Sequence, residues 1–305
     1  MNIIKKRRLF LVISGALTLA SIIVLLVFGL KFSIDFTGGS RLEVVLSGDS
    51  EDVRAKIEEV YEENGVKLNS IQQTENGYRV SSSVIDEPTR DRIVEELGAQ
   101  RQSFEVLGPT IGGETRNRAI IAVLIAIAAI TTYIAIAFWK SGGMISSWKF
   151  GISAITALAH DVIITLGAFS LFGLFFGVEV DALFVTAILT IIGFSVHDTI
   201  VVFDRIRENI KNNVKKTPFE EIVGNSITET LGRSLSTSIL VLLVLVAMVL
   251  FGGDSIRWFV MAFIIGVIVG AYSSIFIASP ILVEWHNFDK NGGVSSLKKK
   301  LRSKK

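Results

Sequence analysis

The sequence predicts an α-helical integral membrane protein with six transmembrane helices and a small α+β (ferredoxin-like) extracytoplasmic domain. Half of the 305 residues are hydrophobic and the mean hydropathy is +0.54. The apolar residues gather into runs long enough to cross a bilayer instead of spreading evenly through the chain. Basic residues fall in alternate connections between those runs, the pattern of a multi-pass protein that keeps Lys and Arg on the cytoplasmic side. Between the first and second runs the chain changes to the mixed apolar and charged pattern of a water-exposed domain.

Lys5, Lys6, Arg7 and Arg8 precede the apolar run 9–30. A cleaved signal peptide has a shorter core of about 7–15 residues followed by a small-x-small site, which is missing here. Residues 1–32 are therefore read as a cytoplasmic amino terminus and an uncleaved first span.

Residues 33–118 form the extracytoplasmic domain. The stretch 41–46 alternates imperfectly and predicts a strand. Asp49 and Ser50 offer an N-cap for a helix with Val53, Ile57, Val60 and Tyr61 inward, and Gly65 stops it. Strands at 66–73 and 78–84 flank Glu75-Asn76-Gly77, whose Asn-Gly pair signals a hairpin. Pro88 suits the first turn of a second helix closed by Gly98, with Ile93, Val94 and Leu97 inward. A last strand falls at 103–107. The order βαββαβ is that of a ferredoxin-like sandwich.

Residues 119–290 hold the other five spans, at 119–139, 150–172, 182–203, 235–251 and 258–282. With the amino terminus inside, Lys140, Lys149, the cytoplasmic loop 204–233 and the basic tail 291–305 are inside too. The outer loops carry only Arg257. Thr217, Pro218 and Glu220 read as a capping box with proline at the first helical position. An amphipathic helix lying along the inner surface, or an ordinary solvated one, would then precede the fifth span. Gly266 and Gly270 in the last span permit close helix approach.

Ionisable residues inside these spans are expensive in hydrocarbon and mark either function or pairing. Asp161 lies about 11 residues, or about 16 Å at 1.5 Å per residue, from the start of the third span, and no intrachain partner is evident for it. Asp198 lies near the cytoplasmic end of the fourth span and Arg233 at the matching end of the fifth. An ion pair between them is expected, although Arg233 can also snorkel to the interface. Ser195 shares a helical face with Asp198, and Ser234 and Thr237 follow Arg233, so a polar seam able to carry protons is expected. His160 and His197 adjoin the two aspartates, either as packed neighbours or as modulators.

The composition excludes several classes. A net charge of +2 gives no reason to expect nucleic acid, and the absence of cysteine excludes disulfides and Fe–S clusters. Three histidines at no metal-ligand spacing predict no metal. No Walker motif or nucleophile–base pairing is present, so no catalytic residue, no cofactor and no enzyme activity are expected.

Phe36-Thr37-Gly38-Gly39, the run 159–165 around His160-Asp161, the run 192–209 containing His197, Asp198, Asp204 and Arg205, and 230–234 ending in Arg233-Ser234 together resemble the SecF family of protein-export membrane proteins. The resemblance covers essentially the whole chain. It implies half of a resistance–nodulation–division transporter, working with SecD and the SecYEG translocon, and with YajC and YidC as further partners. It also implies a location in the bacterial cytoplasmic membrane, within the lipid bilayer. The proton-motive force would drive late steps of export of an unfolded preprotein, with Asp198, Arg233 and Asp161 in proton coupling and His197, Ser195 and Thr237 as modulators. His197 departs from the family, where a neutral polar residue is expected. Two alternatives stay open: an assembly subunit of a translocon or insertase without proton coupling, and half of a small-molecule or lipid exporter.

Overall fold

A computed structural model describes residues 3–46, 50–138, 145–212 and 217–290. Helix α1 (Arg7–Phe28) leads through the one-turn α2 (Ile34–Thr37) into a domain built from β1 (Gly39–Val45), α3 (Ser50–Glu63), β2 (Leu68–Thr74), β3 (Gly77–Ser82), α4 (Glu87–Leu97) and β4 (Gln100–Leu107). The long helices α5 (Pro109–Ala137), α6 (Ser147–Phe176), α7 (Ala182–Lys211), α8 (Phe219–Phe251) and α9 (Asp254–Ser273) follow. A π-helical turn, Ser274–Ala278, joins α9 to α10 (Ser279–Lys290). Six of these segments are long and apolar enough to cross a membrane.

The strand order β2-β3-β1-β4, antiparallel throughout, is the ferredoxin-like arrangement. The period-2 alternation of the strands sorts two faces. Leu42, Val44, Ile71 and Val80 turn toward α3 and α4, where they pack with Ile57, Tyr61, Ile93 and Leu97. Arg41, Glu43, Gln72 and Arg79 line the opposite, polar face, which looks onto the ends of the long helices. The Asp49 cap lies outside the described residues. Asp86 caps α4 by accepting the Thr89 N–H at 3.1 Å, and Gly98 closes it in the left-handed conformation.

Within the bundle, α6, α7 and α9 are central while α1 and α5 are peripheral, with only 6% of their most apolar stretches buried. One expectation for residues 204–233 is corrected, that of a separate helix ahead of the fifth span. This stretch is mostly helix, because α7 runs on to Lys211 and α8 starts at Phe219. Among the described residues no separate helix precedes the fifth span, and the N-cap is Pro218 without a side-chain cap bond. The reason is a single buried stripe. Phe219, Val223, Ile227, Thr230, Ser234 and Ser238 keep helical spacing from the first turn into the span, so one face packs inward throughout. Lys140 and the tail 291–305 lie outside the described residues.

The Phe36-Thr37-Gly38-Gly39 motif is a joint between the domain and the second span. Gly38 has φ 71°, and a Cβ there would sit 2.7 Å from the Pro109 backbone. Gly112 on α5 approaches Gly38 N equally closely, at 2.5 Å from its would-be Cβ. Only glycine permits this conformation together with this contact. The buried Phe36 fills the joint from below.

Candidate functional site: buried acids in the helix bundle

The small residues of α9 bring the site together. A Cβ on Gly266 would lie 2.3 Å from the Ile191 side chain of α7, and one on Gly270 would lie 3.1 Å from Ser195 Cβ. That approach carries Ser273, at the end of α9, toward Ser195 and α6. Just beyond, Pro280 has no N–H to donate and its ring crowds the carbonyl of Phe276. The chain accommodates it with the π turn 274–278, and Ser279 Oγ donates to the Ser274 carbonyl at 3.1 Å.

Asp161 is fully buried at this meeting point. Ser195 Oγ donates to its Oδ2 at 2.6 Å and Ser273 Oγ to the same oxygen at 2.7 Å. Its Oδ1 lies 2.9 Å from His160 Nδ1, and Thr165 Oγ1 donates to its backbone carbonyl at 2.9 Å. The acid without an evident partner is thus tied to α7 and α9 as well as to its own helix. Ser195 serves Asp161 rather than a seam toward Arg233. Among the described residues His160 Nε2 is buried with no hydrogen-bond partner, and the ring lies 6.5 Å from Tyr272, whose hydroxyl is 3.0 Å from Ser14 Oγ on α1.

Asp198 is also buried, but among the described residues its Oδ2 has no hydrogen-bond partner. Ser234 on α8 faces it most closely, and His197 and Arg233 act on it electrostatically. Among the described residues no ion pair reaches Asp198, which corrects the expected contact with Arg233. Helix geometry explains why. Successive residues turn about 100°, and Ser234 takes the inward position on α8 while Arg233 lies on the exposed face. Thr237 Oγ1 donates back to the Arg233 carbonyl at 3.0 Å, and His197 is exposed on α7. Beyond the buried acids, Arg205 braces α7 to α8 through Glu229 at 2.5 Å, and Asp204 lies 3.7 Å from Arg207 on its own helix.

At the other end of the bundle the polar sheet face docks on the helix connections. Ser70 and Ser81 donate to the two oxygens of Glu179 at 2.6 and 3.0 Å. A Cβ on Gly177 would meet the Ile71 carbonyl at 2.2 Å. Val180 bonds the chain between α1 and α2, donating to Lys31 and accepting from Ser33 at 2.7 and 2.9 Å. The Glu75 N–H donates to Asp254 at 2.7 Å, and Glu75 pairs with Arg257. Burial pushes the Glu179 carboxyl above the usual range, although its two serine partners work against this. Burial raises Asp181 as well, while its N-cap bond from Phe184 opposes the rise. Glu43 is held below the usual range because Arg79 and Ser103 outweigh the cost of its burial.

Sequence reasoning missed Ser273, Tyr272 and Glu179. The small-residue spacing of Gly266 and Gly270 ahead of Ser273, and the proline that follows, were the available signals for the first.

Residues 90–288 match the family model "Protein export membrane protein SecD/SecF, C-terminal", and residues 23–49 match the "SecD/SecF GG Motif". The chain is 41% identical to protein translocase subunit SecF of Anaerolinea thermophila over 96% of its own length and 98% of the relative's. It is 36% identical to protein translocase subunit SecDF of Thermus thermophilus, covering 90% of this chain but 37% of that one. The crystal structure of SecDF from Thermus thermophilus, described as a translocon-associated membrane protein, superposes with a TM-score of 0.83 at 34% identity, over 94% of this chain and 39% of that chain. A SecDF crystal structure in a super-membrane-facing form gives 0.70 over 97% and 40%. With the GG joint, the six spans and the ferredoxin-like domain all in place, the chain belongs to the SecD/SecF family of protein-export membrane proteins.

Proposed function

We propose that the chain works with SecD to draw late steps of preprotein export from the proton-motive force. In this reading it lies in the bacterial cytoplasmic membrane with both termini in the cytoplasm and the sheet domain on the outer face. SecYEG, YajC and YidC are its further partners. The Thermus relatives support the SecD pairing, because there one chain carries a SecF-like part within a much longer SecDF.

The observation that carries the proton reading is Asp198 Oδ2, a carboxylate oxygen buried in a spanning helix with no hydrogen bond to it among the described residues. An uncompensated carboxylate in hydrocarbon is costly, so it favours states in which a proton or a cation neutralises it. Arg233, close enough to be felt yet unpaired, offers the second state. A transmembrane potential does about 2.3 kcal/mol of work per charge per 100 mV. Alternation of Asp198 between a protonated and an Arg233-paired state converts that work into a shift of α7 against α8. Asp161 takes part by holding Ser195 one turn from Asp198, and His197 and Thr237 tune the surroundings. The GG joint, contacting α5 directly, would carry the motion into the sheet domain.

The test is the Asp198→Asn variant with SecD in energised vesicles, following proton flux and completion of export together. Both are expected to collapse. Export and flux equal to wild type would show the coupling role to be wrong.

A further inference from the structure

We propose that the cavity between the polar sheet face and the domain-side ends of α7 and α9 receives lysine and arginine side chains of an extended polypeptide. This rests on the export reading above only for its biological setting, since the site is built from the domain's own geometry. The cavity has a volume of about 510 Å³, within the usual range for ligand sites. Six carboxylates line it, those of Asp35, Glu43, Glu105, Glu179, Asp181 and Asp254, against two guanidiniums, Arg41 and Arg79, with Arg257 beside the cavity pairing Asp254 at 3.1 Å.

Both guanidiniums pair with carboxylates, although Arg41 Nε is buried without a hydrogen-bond partner among the described residues. Arg79 Nε lies 2.6 Å from Glu43, while Arg41 lies 3.3 Å from Glu105 and 3.8 Å from Asp35. Glu179 has only two serine hydroxyls and Asp181 the Phe184 N–H at 2.7 Å. Neither forms an ion pair among the described residues. The cavity is therefore anionic and short of cations.

A second observation is independent of the charge. Gln72 is 7% exposed and lines the same cavity from β2, and among the described residues no side-chain hydrogen bond holds its amide. The amide reaches the cavity and can bond an incoming group. Its carbonyl and NH2 together match the donors and acceptors of a peptide backbone. Trp258 adds an aromatic wall, against which an ammonium or guanidinium is favourable. An amphipathic cation on a polypeptide satisfies all three features. A metal ion does not, because among the described residues no three acidic or histidine groups converge as ligands.

The test uses the full chain in lipid nanodiscs without SecD and without a gradient, and measures fluorescence anisotropy of a labelled unstructured peptide. A lysine-bearing peptide is expected to bind about tenfold or more tighter than the same peptide with glutamine in place of lysine, a difference of about 1.4 kcal/mol, and to weaken in high salt. Gln72→Arg should remove most of that preference, and Gln72→Glu, which keeps the side-chain length, should increase it. Equal binding of the two peptides, or a preference unchanged in both Gln72 variants, overturns the proposal. So does displacement of the peptide by micromolar Ca²⁺, which would make this a metal site. Failure here leaves proton coupling intact, because no gradient enters the measurement. Export indifferent to Asp198 would conversely leave this site standing.

Discussion

Ser195 on α7 and Ser273 on α9 donate to the same oxygen of Asp161 on α6, at 2.6 and 2.7 Å. One buried carboxylate thereby ties the three central helices. Interhelical hydrogen bonds in membranes average about 0.6 kcal/mol, with maxima near 1.7, while bonds to charged groups in proteins reach about 1.5–3 kcal/mol. Ser195→Ala and Ser273→Ala should each cost about 1 kcal/mol, since the other hydroxyl remains on Oδ2. The double variant should cost more than the sum, because it strips that oxygen of both donors. Unfolding in mixed micelles measures all three, and simple additivity would show that the two serines act separately.

Close helix approach at Gly266 gives a second prediction. A methyl group there would fall 2.3–2.4 Å from the Ile191 side-chain carbons, well inside contact distance. Gly266→Ala should destabilise the bundle by about 1–3 kcal/mol, the usual cost of overpacking. Ile191→Ala opens a cavity at the same place. The pair should therefore recover part of the loss, and the double variant should be more stable than the sum of the single effects predicts. If Gly266→Ala were neutral, α7 and α9 would have to stand farther apart than they do.

The span count and the domain topology were legible because their signals are local. Apolar runs, the Asn76-Gly77 turn, Pro88 and Gly98 each act within a few residues of themselves. The buried acids were harder for the opposite reason. Asp161 looked partnerless because Ser195 and Ser273 lie 34 and 112 residues away in the chain. Their convergence depends on how closely α9 packs on α7. Asp198 and Arg233 share a depth in the chain pattern, but depth says nothing of azimuth. One residue of rotation gives the inward position to Ser234. Hydropathy likewise placed the start of the fifth span at the first strongly apolar residues, while the hydrogen-bonded helix had already begun at Phe219. Glu179 gave no warning, since a loop glutamate reads as solvated until the sheet is seen to cover it.

Tyr61 is fully buried between α3 and the sheet, and among the described residues its hydroxyl has no hydrogen-bond partner. Burial raises its pKa well above the ordinary phenol value, so it stays neutral. An unsatisfied buried hydroxyl costs about 1–3 kcal/mol. Tyr61→Phe should therefore stabilise the sheet domain by about 1 kcal/mol, read as slower amide exchange in β1 and β3 within the intact protein. Faster exchange would mean that the hydroxyl is bonded after all.

Glu179 ties the docking of the sheet to pH. Burial holds its carboxyl above the value it has in the unfolded chain, with Ser70 and Ser81 opposing the rise only in part. Between those two values the folded state binds the extra proton, so the docked arrangement loses stability as pH rises through the window and gains it as pH falls. Asp181, also raised by burial, adds in the same direction. Glu43 opposes both, because its carboxyl is held low and its contribution is lost only as pH falls through that lower value. Mild acidification from neutral pH should thus stabilise the domain against the bundle before stronger acid weakens it. In Glu179→Gln, which keeps an acceptor for one serine and removes the charge, the rise should shrink to what Asp181 supplies. Thermal unfolding of the two proteins across that pH range measures the difference, and identical profiles would show that Glu179 titrates as an ordinary exposed carboxylate.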